Sequence, residues 1–136
     1  MAGRWAGGCS SCGSPFGHLL ECPEFVPPPE IQVVDPKTGA RKGSKLARFD
    51  LLPAEALEAL AEHYGRGARK YADRNWEAGY AWGLSFAALM RHAWAWWRGE
   101  DTDAETGSSH LIAVAWHALA LYTFQKRAKG TDDRPR

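Results

Sequence analysis

The sequence lacks long apolar runs, a strong net charge and a secretory leader. No stretch approaches the roughly 18 consecutive apolar residues of a membrane-spanning helix, so we expect no membrane partner. The formal net charge is +1, so bulk electrostatics favour neither a membrane surface nor nucleic acid, and nucleic acid is expected only through the N-terminal arm. The first residues lack the apolar core of a signal peptide, which predicts a cytoplasmic protein.

Cysteine is also scarce, and the three cysteines all fall near the N-terminus, at Cys9, Cys12 and Cys22. An odd number without an export signal indicates free thiols or metal ligands, not a disulfide framework. With His18 they form four soft ligands in a short span, a pattern similar to a zinc knuckle with a displaced histidine. The alternative is a disordered arm whose thiols bind nothing.

Three regions follow from composition. Residues 1–44 are rich in Gly, Pro and Ser and predict an extended arm with one short strand at Ile31–Val34. Residues 45–128 carry helical apolar spacing and predict an all-α domain of three to four helices. Residues 129–136 form a polar tail that we expect to fray.

Within the domain we predict helices at 53–66, 81–98 and 109–127, the first beginning at Pro53. The second is apolar nearly all round and is therefore expected to be the most buried, with Trp94 or Trp97 covered in the domain or in a subunit contact. Three short helices cannot cover all of these apolar faces, so we expect a homo-oligomer.

The loop after the second predicted helix has four carboxylates within six residues. Held between two helices, such oxygen ligands suit a hard cation, and Mg²⁺ or Mn²⁺ fits better than a caged Ca²⁺ because the EF-hand glycine and terminal glutamate are missing. The alternative is a solvated acidic turn. The candidate metal ligands are Glu100, Asp101, Asp103 and Glu105.

The connector at 66–76 has the opposite character, being basic and aromatic, and we expect it to be irregular. Cations neutralise phosphate, aromatic rings stack on a base and an Asn amide pairs with a purine edge. The alternative places Trp76 and Tyr71 in the core. The candidate substrate-binding residues here are Lys70, Tyr71, Asn75 and Trp76.

Histidines flank the same region. His110 borders the acidic loop, where it could bind metal or phosphate or transfer a proton, and His92 follows the cationic Arg91. His117 is interpreted as a hydrogen-bonded core residue. Glu55, in the first turn of the first helix, completes the candidate substrate-binding set.

In order along the chain, three blocks resemble a phage-associated family, the dATP/dGTP diphosphohydrolase N-terminal domain. They are Arg48-Phe49-Asp50-Leu51-Leu52-Pro53-Ala54-Glu55-Ala56-Leu57, then Gly67-Ala68-Arg69-Lys70-Tyr71 with Asn75-Trp76, then Arg91-His92 followed by Trp96-Trp97-Arg98-Gly99-Glu100-Asp101-Thr102-Asp103-Ala104-Glu105-Thr106-Gly107 and Ser109-His110-Leu111. The family is distantly similar to the all-α MazG-type nucleoside triphosphate pyrophosphohydrolases, whose Glu-Glu-x-x-Glu signature this chain lacks.

The resemblance implies hydrolysis of a purine deoxynucleoside triphosphate to its monophosphate and pyrophosphate, in host cytoplasm if the chain is phage-encoded. It implies a divalent cation bound by carboxylates. From the residues themselves we expect Mg²⁺ or Mn²⁺ as cofactor and Asp101, Glu105 and His110 as catalytic residues. The alternative is a non-catalytic helical oligomer that binds a nucleotide or a protein, with a zinc-binding arm.

Overall fold

The computed structural model describes residues 30–136, which divide into two compact units at the boundary between Arg48 and Phe49. The candidate zinc ligands Cys9, Cys12, His18 and Cys22 lie outside the described residues, so zinc in the arm stays a prediction.

In the first unit, strand β1 (Ile31–Val34) pairs antiparallel with β2 (Arg41–Ser44), with Ile31 opposite Ser44 and Val34 opposite Arg41. The carboxylate of Asp35 closes the turn by accepting hydrogen bonds from the backbone N–H groups of Lys37 and Thr38. The predicted strand is therefore confirmed. Its partner was not predicted, because Arg41–Ser44 has no apolar alternation to mark it as a strand.

The second unit is a small, mostly helical domain with three helices, as predicted. Helix α1 spans Ala54–Tyr71, α2 spans Trp82–Trp97 and α3 spans His110–Arg127. Short 3-10 turns occur at Phe49–Leu51 and Asn75–Ala78. No helix among residues 30–136 has the length and apolar character needed to cross a membrane.

The predicted end of α1 near residue 66 was wrong. The helix continues to Tyr71, so the first half of the expected irregular connector is helical. Gly65 and Gly67 lower helix propensity but do not forbid helical backbone. Arg69 and Lys70 in the last turn interact favourably with the negative end of the helix dipole.

Helix α3, not α2, is the most buried element. It packs against both other helices, and its buried residues are His110, Ala113, Ala120 and Phe124. Helix α2 buries only Ser85 and Ala95. Trp94 and Trp97 are 54% and 72% exposed, so their expected burial within the domain was wrong, and burial in a subunit contact stays a prediction.

An aromatic cluster joins α1, the second 3-10 turn and α3. Trp76 contacts Tyr64, Trp116 and Phe124, with ring centroids 6.0, 6.2 and 6.0 Å away. Tyr80 meets Phe124 edge-on at 5.0 Å. Such pairs add stability beyond the area they bury, so the cluster fixes the segment that joins α1 to α2.

The C-terminal tail is attached to the start of α2, which contradicts the expectation that it frays. The backbone N–H of Trp82 donates to the carbonyl of Thr131 at 3.0 Å, and that of Gly83 donates to the Asp133 carboxylate at 2.7 Å. The guanidinium of Arg134 lies 4.9 Å from the centre of the Trp82 ring. Asp133 thus supplies a negative charge at the positive end of α2.

Self-association is expected through α2. Phe86, Trp94 and Trp97 share one helix face, since they are eight and eleven residues apart, and all three are exposed. We expect sedimentation at high micromolar concentration to show a dimer or larger species, and Trp97→Lys to shift it towards monomer. Tyr122→Lys, an exposed aromatic position on α3, is the matched control; a monomeric parent protein would contradict the prediction.

Candidate functional site

The second unit contains an open cleft of about 1220 Å³. Its wall is built from the C-terminal half of α1, the segment joining α1 to α2, one face of α2, the acidic loop and α3. It collects most of the predicted substrate-binding side chains together with one loop carboxylate. These are Lys70, Tyr71, Asn75, Trp76, Arg91, His92 and Glu105.

Lys70, in the last turn of α1, and Glu105, in the acidic loop, meet at one edge of the cleft. The Nζ atom of Lys70 lies 2.7 Å from Oε1 of Glu105 and 5.2 Å from the centre of the Tyr71 ring. The hydrogen bond from Lys70 to Glu105 raises the pKa of the lysine, with a smaller contribution from Tyr71. Both partners are largely exposed, so the ion pair is weak and an incoming phosphate could replace it.

The aromatic side chains of the cleft differ in their surroundings. Tyr71 is 62% exposed and its ring is accessible for stacking. Trp76 is half-buried in the aromatic cluster while it also lines the cleft. Trp76 therefore combines the two interpretations that the sequence left open: it packs in the core and forms part of the wall.

A histidine and aspartate group lies beside the cleft. Nδ1 of His92 is 2.8 Å from Nδ1 of His110, and the ligand atoms of His92, Asp103 and His110 all lie within 4.8 Å of one another. Across residues 30–136 no other group of three or more His, Cys, Asp or Glu side chains converges in this way. His92 lines the cleft, whereas His110 is only 5% exposed.

The acidic loop is folded so that Asp103 points inwards. The Asp103 carboxylate accepts hydrogen bonds from the hydroxyl of Thr106 at 2.7 Å and from its backbone N–H at 3.1 Å. The backbone N–H of Gly107, whose φ is +68°, donates to the carbonyl of Asp103 at 2.8 Å. The Thr106 hydroxyl lowers the pKa of Asp103, so the carboxylate is ionised near neutral pH.

The other three loop carboxylates lie outside the group that contains Asp103. Asp101 and Glu100 are exposed, and Glu100 is 3.9 Å from Arg98. Of the four candidate metal ligands in the loop, only Asp103 lies in a group of three or more potential ligands. Asp101 reaches the site through its backbone, whose carbonyl accepts a hydrogen bond from the N–H of His110 at 3.0 Å.

Burial lowers the pKa of the histidines around the cleft. It lowers the pKa of His92, which nearby Asp103 partly opposes, and it lowers that of His63. The pKa of His117 falls to about 4, because of burial first and the neighbouring His92 second. These rings are therefore neutral near pH 7, the form in which imidazole binds metals. His117 is hydrogen-bonded to the Ser85 hydroxyl at 3.1 Å, as its interpretation as a core residue requires.

The sequence did not predict the pair formed by His63 and Ser108, and it predicted a substrate-binding role for Glu55, which lies outside the cleft. Nδ1 of His63 is 2.8 Å from the hydroxyl of the buried Ser108, which also accepts a hydrogen bond from Arg66. The spacing of His63, Arg66 and Lys70 places them on one face of α1, and that periodicity could have identified His63. Glu55 lies about 22 Å from Lys70 along the helix axis and does not line the cleft.

The fold and the cleft define a small helical domain that presents lysine, arginine, carboxylate, imidazole and aromatic groups around one open cleft. A family model described as dATP/dGTP diphosphohydrolase, N-terminal, matches residues 36–134. The chain belongs to that family. No curated protein and no solved structure matches the chain.

Proposed function

We propose that this protein hydrolyses a purine deoxynucleoside triphosphate to its monophosphate and pyrophosphate in the cleft beside α1 and α2. The observation that carries the proposal is the meeting of Lys70, from α1, with Glu105, from the acidic loop, at 2.7 Å. Phosphate binding needs the positive group and cation binding needs the negative one. The family description supports the same substrate class.

The cleft residues form two groups, one that binds the polyphosphate and one that binds the base. Lys70 and Arg91 bind the polyphosphate, and the Lys70 ammonium exchanges Glu105 for a phosphate oxygen. Tyr71 and Trp76 provide ring faces for a purine, and the Asn75 amide can pair with its edge. This division holds the reacting phosphate near the acidic loop and the base near the aromatic cluster.

A divalent cation fits the donor chemistry, because the loop places an ionised Asp103 carboxylate beside the imidazoles of His92 and His110. A divalent cation, when bound, would supply charge neutralisation and an activated water. Glu105 lies within reach of Lys70 and is suited to hold that water or accept its proton. Before a cation binds, His110, buried behind the loop, holds the imidazole of His92 in position through the contact between their Nδ1 atoms.

A direct assay tests the proposal. The purified full chain is incubated with a panel of ribo- and deoxynucleoside triphosphates with Mg²⁺ or Mn²⁺, and the products are separated by chromatography. We expect monophosphate and pyrophosphate from dATP or dGTP. Release of inorganic phosphate alone, or no product from any member of the panel with either cation, contradicts the proposal.

Lys70→Ala probes the phosphate contact. A charge-assisted hydrogen bond is worth about 1.5–3 kcal/mol, so kcat/KM should fall roughly 10- to 100-fold, mainly through a higher KM. Lys126→Ala is the matched control, since Lys126 lies 5.9 Å from the Tyr122 ring, as Lys70 lies near Tyr71, but does not line the cleft. Equal effects of the two substitutions would remove Lys70 from the site.

A non-catalytic binding module is the second candidate function. The exposed face of α2 with Phe86, Trp94 and Trp97 favours it, because an apolar face of this kind marks a protein contact more often than a reaction site. The two candidates are separated by calorimetry with a non-hydrolysable deoxynucleotide analogue. Tight binding of the analogue without turnover of the natural nucleotide would favour the binding module.

A further inference from the structure

The arrangement of His92, Asp103 and His110 differs from the all-carboxylate cation site that the acidic loop suggests. Two nitrogen ligands and one oxygen ligand converge from three segments: α2, the loop and the first residue of α3. Imidazole nitrogen suits the first-row transition metals, whereas Mg²⁺ prefers oxygen ligands. The ligand set itself therefore selects among cations.

We propose that His92, Asp103 and His110 form a mixed nitrogen and oxygen centre that binds Mn²⁺, Co²⁺ or Zn²⁺ in preference to Mg²⁺. Its role in turnover rests on the proposed function, whereas its metal binding is measured without any nucleotide.

The distances suit a single ion. Ligand atoms that are each about 2.1 Å from one cation lie roughly 3–4 Å apart. The two Nδ1 atoms are 2.8 Å apart, and all three ligand atoms lie within 4.8 Å of one another. Both distances are within about 1 Å of that range. Small side-chain rotations are therefore enough to form the centre.

The surroundings also favour binding at this position. Asp103 is fixed by the two hydrogen bonds from Thr106, and His110 is fixed by its backbone bond to Asp101 and by burial. Two of the three ligands are thus held in place before a cation arrives, which lowers the entropy lost on binding. Three protein ligands leave coordination positions for water or a phosphate oxygen, and His92 at the cleft wall places the centre beside the substrate space.

Cobalt absorption tests the centre. The protein for this test is the full chain with the three arm cysteines replaced by serine (Cys9→Ser, Cys12→Ser and Cys22→Ser), so that the arm cannot contribute thiolate ligands. The protein is treated with a chelator, dialysed and titrated with Co²⁺. We expect one equivalent of Co²⁺ to produce visible d–d absorption, and Mn²⁺ to displace it at much lower concentration than Mg²⁺.

Matched substitutions locate the ion. Asp103→Asn and His92→Gln should each weaken Co²⁺ binding at least about tenfold, whereas Glu100→Gln, in the same loop but outside the group, should leave it unchanged. Circular dichroism of each variant shows whether the helices persist. Because substitution of the buried His110 could unfold the domain, its participation is read from the parent protein by paramagnetic NMR, as hyperfine-shifted ring N–H signals from two histidines.

The outcomes separate this inference from the proposed function. Co²⁺ binding that depends on Asp103 and His92, in a protein that hydrolyses no nucleotide, supports the centre and refutes the enzyme. Turnover with Mg²⁺ that persists in a folded Asp103→Asn variant overturns the role of the centre in the reaction and leaves the enzyme. Absence of Co²⁺ binding in the parent, or binding that Glu100→Gln weakens as much as Asp103→Asn, also overturns the centre.

Discussion

Asp103→Asn is expected to lower kcat for deoxynucleotide hydrolysis at least about a hundredfold, with the helices intact. The carboxylate is the only loop acid that converges with other potential ligands in the described part of the chain. In the proposed centre this charge holds a cation against the developing phosphate charge, and such electrostatic contributions are typically worth factors of about 100 to 1,000. Steady-state kinetics at saturating nucleotide and cation measure the loss.

The substitution removes charge with little disturbance of the loop. Asparagine keeps one side-chain oxygen, which can still accept the hydrogen bonds that Thr106 donates to Asp103. The backbone bonds between Asp103 and Ser108, and between Gly107 and Asp103, do not involve the carboxylate at all. A fall in kcat with unchanged circular dichroism therefore reports the chemistry of the site.

Asp101→Asn is the matched control. Asp101 lies two residues away, carries the same charge and is exposed, and its contribution to the site is the carbonyl that accepts the His110 N–H. The substitution keeps that carbonyl, so we expect kcat to stay within about threefold of the parent value. If Asp101→Asn and Asp103→Asn cost the same, the ion is held by the loop carboxylates together, as the sequence pattern alone predicts.

The helices were predictable because their signals are local. Pro53 before the first helix, Ser109 before the third and the apolar spacing between them depend on neighbouring residues only. Ser109 indeed accepts a hydrogen bond from the backbone N–H of Leu111 at 3.3 Å. The end of α1 was misplaced for the same reason: propensity penalises Gly65 and Gly67, while packing of α1 against α3 outweighs that penalty.

The cleft was predictable only in part. The candidate residues of the connector and the acidic loop form one site only if the two segments meet, and Lys70 and Glu105 do so. The convergence of His92 with His110 and Asp103 was not predicted, because it depends on the angle between α2 and α3 and on the turn that directs Asp103 inwards. Sequence spacing relates residues within one helix and carries no information on that angle.

The exposure of α2 is a second feature that the sequence did not predict. Its composition, apolar nearly all round, predicts burial, yet Phe86, Trp94 and Trp97 are exposed in the single chain. An apolar composition indicates that a helix face is covered, but it does not indicate whether the same chain or another molecule covers it. The predicted self-association through this face would reconcile the two observations.

Phe124→Ala is expected to lower the free energy of unfolding by about 3–5 kcal/mol, a large part of the total for a domain of this size. Phe124 is fully buried on α3 and contacts the rings of Trp76 and Tyr80, so truncation leaves a cavity at the centre of the aromatic cluster. Denaturant unfolding followed by circular dichroism measures the change. Leu119→Ala, on the same helix but 43% exposed, should cost less than about 1 kcal/mol.

The same substitution series connects the core to the cleft, since Trp76 is both a neighbour of Phe124 and part of the cleft wall. Phe124→Leu keeps more of the volume than alanine does and should fold, but it removes an aromatic face against which the Trp76 ring is held. We expect this variant to raise KM for the deoxynucleotide while kcat stays near the parent value, because the base side of the cleft loosens and the acidic loop does not change. A Phe124→Leu variant that lowers kcat with KM unaltered would show that the aromatic cluster supports the reacting end of the cleft, and would contradict the assignment of Trp76 to the base.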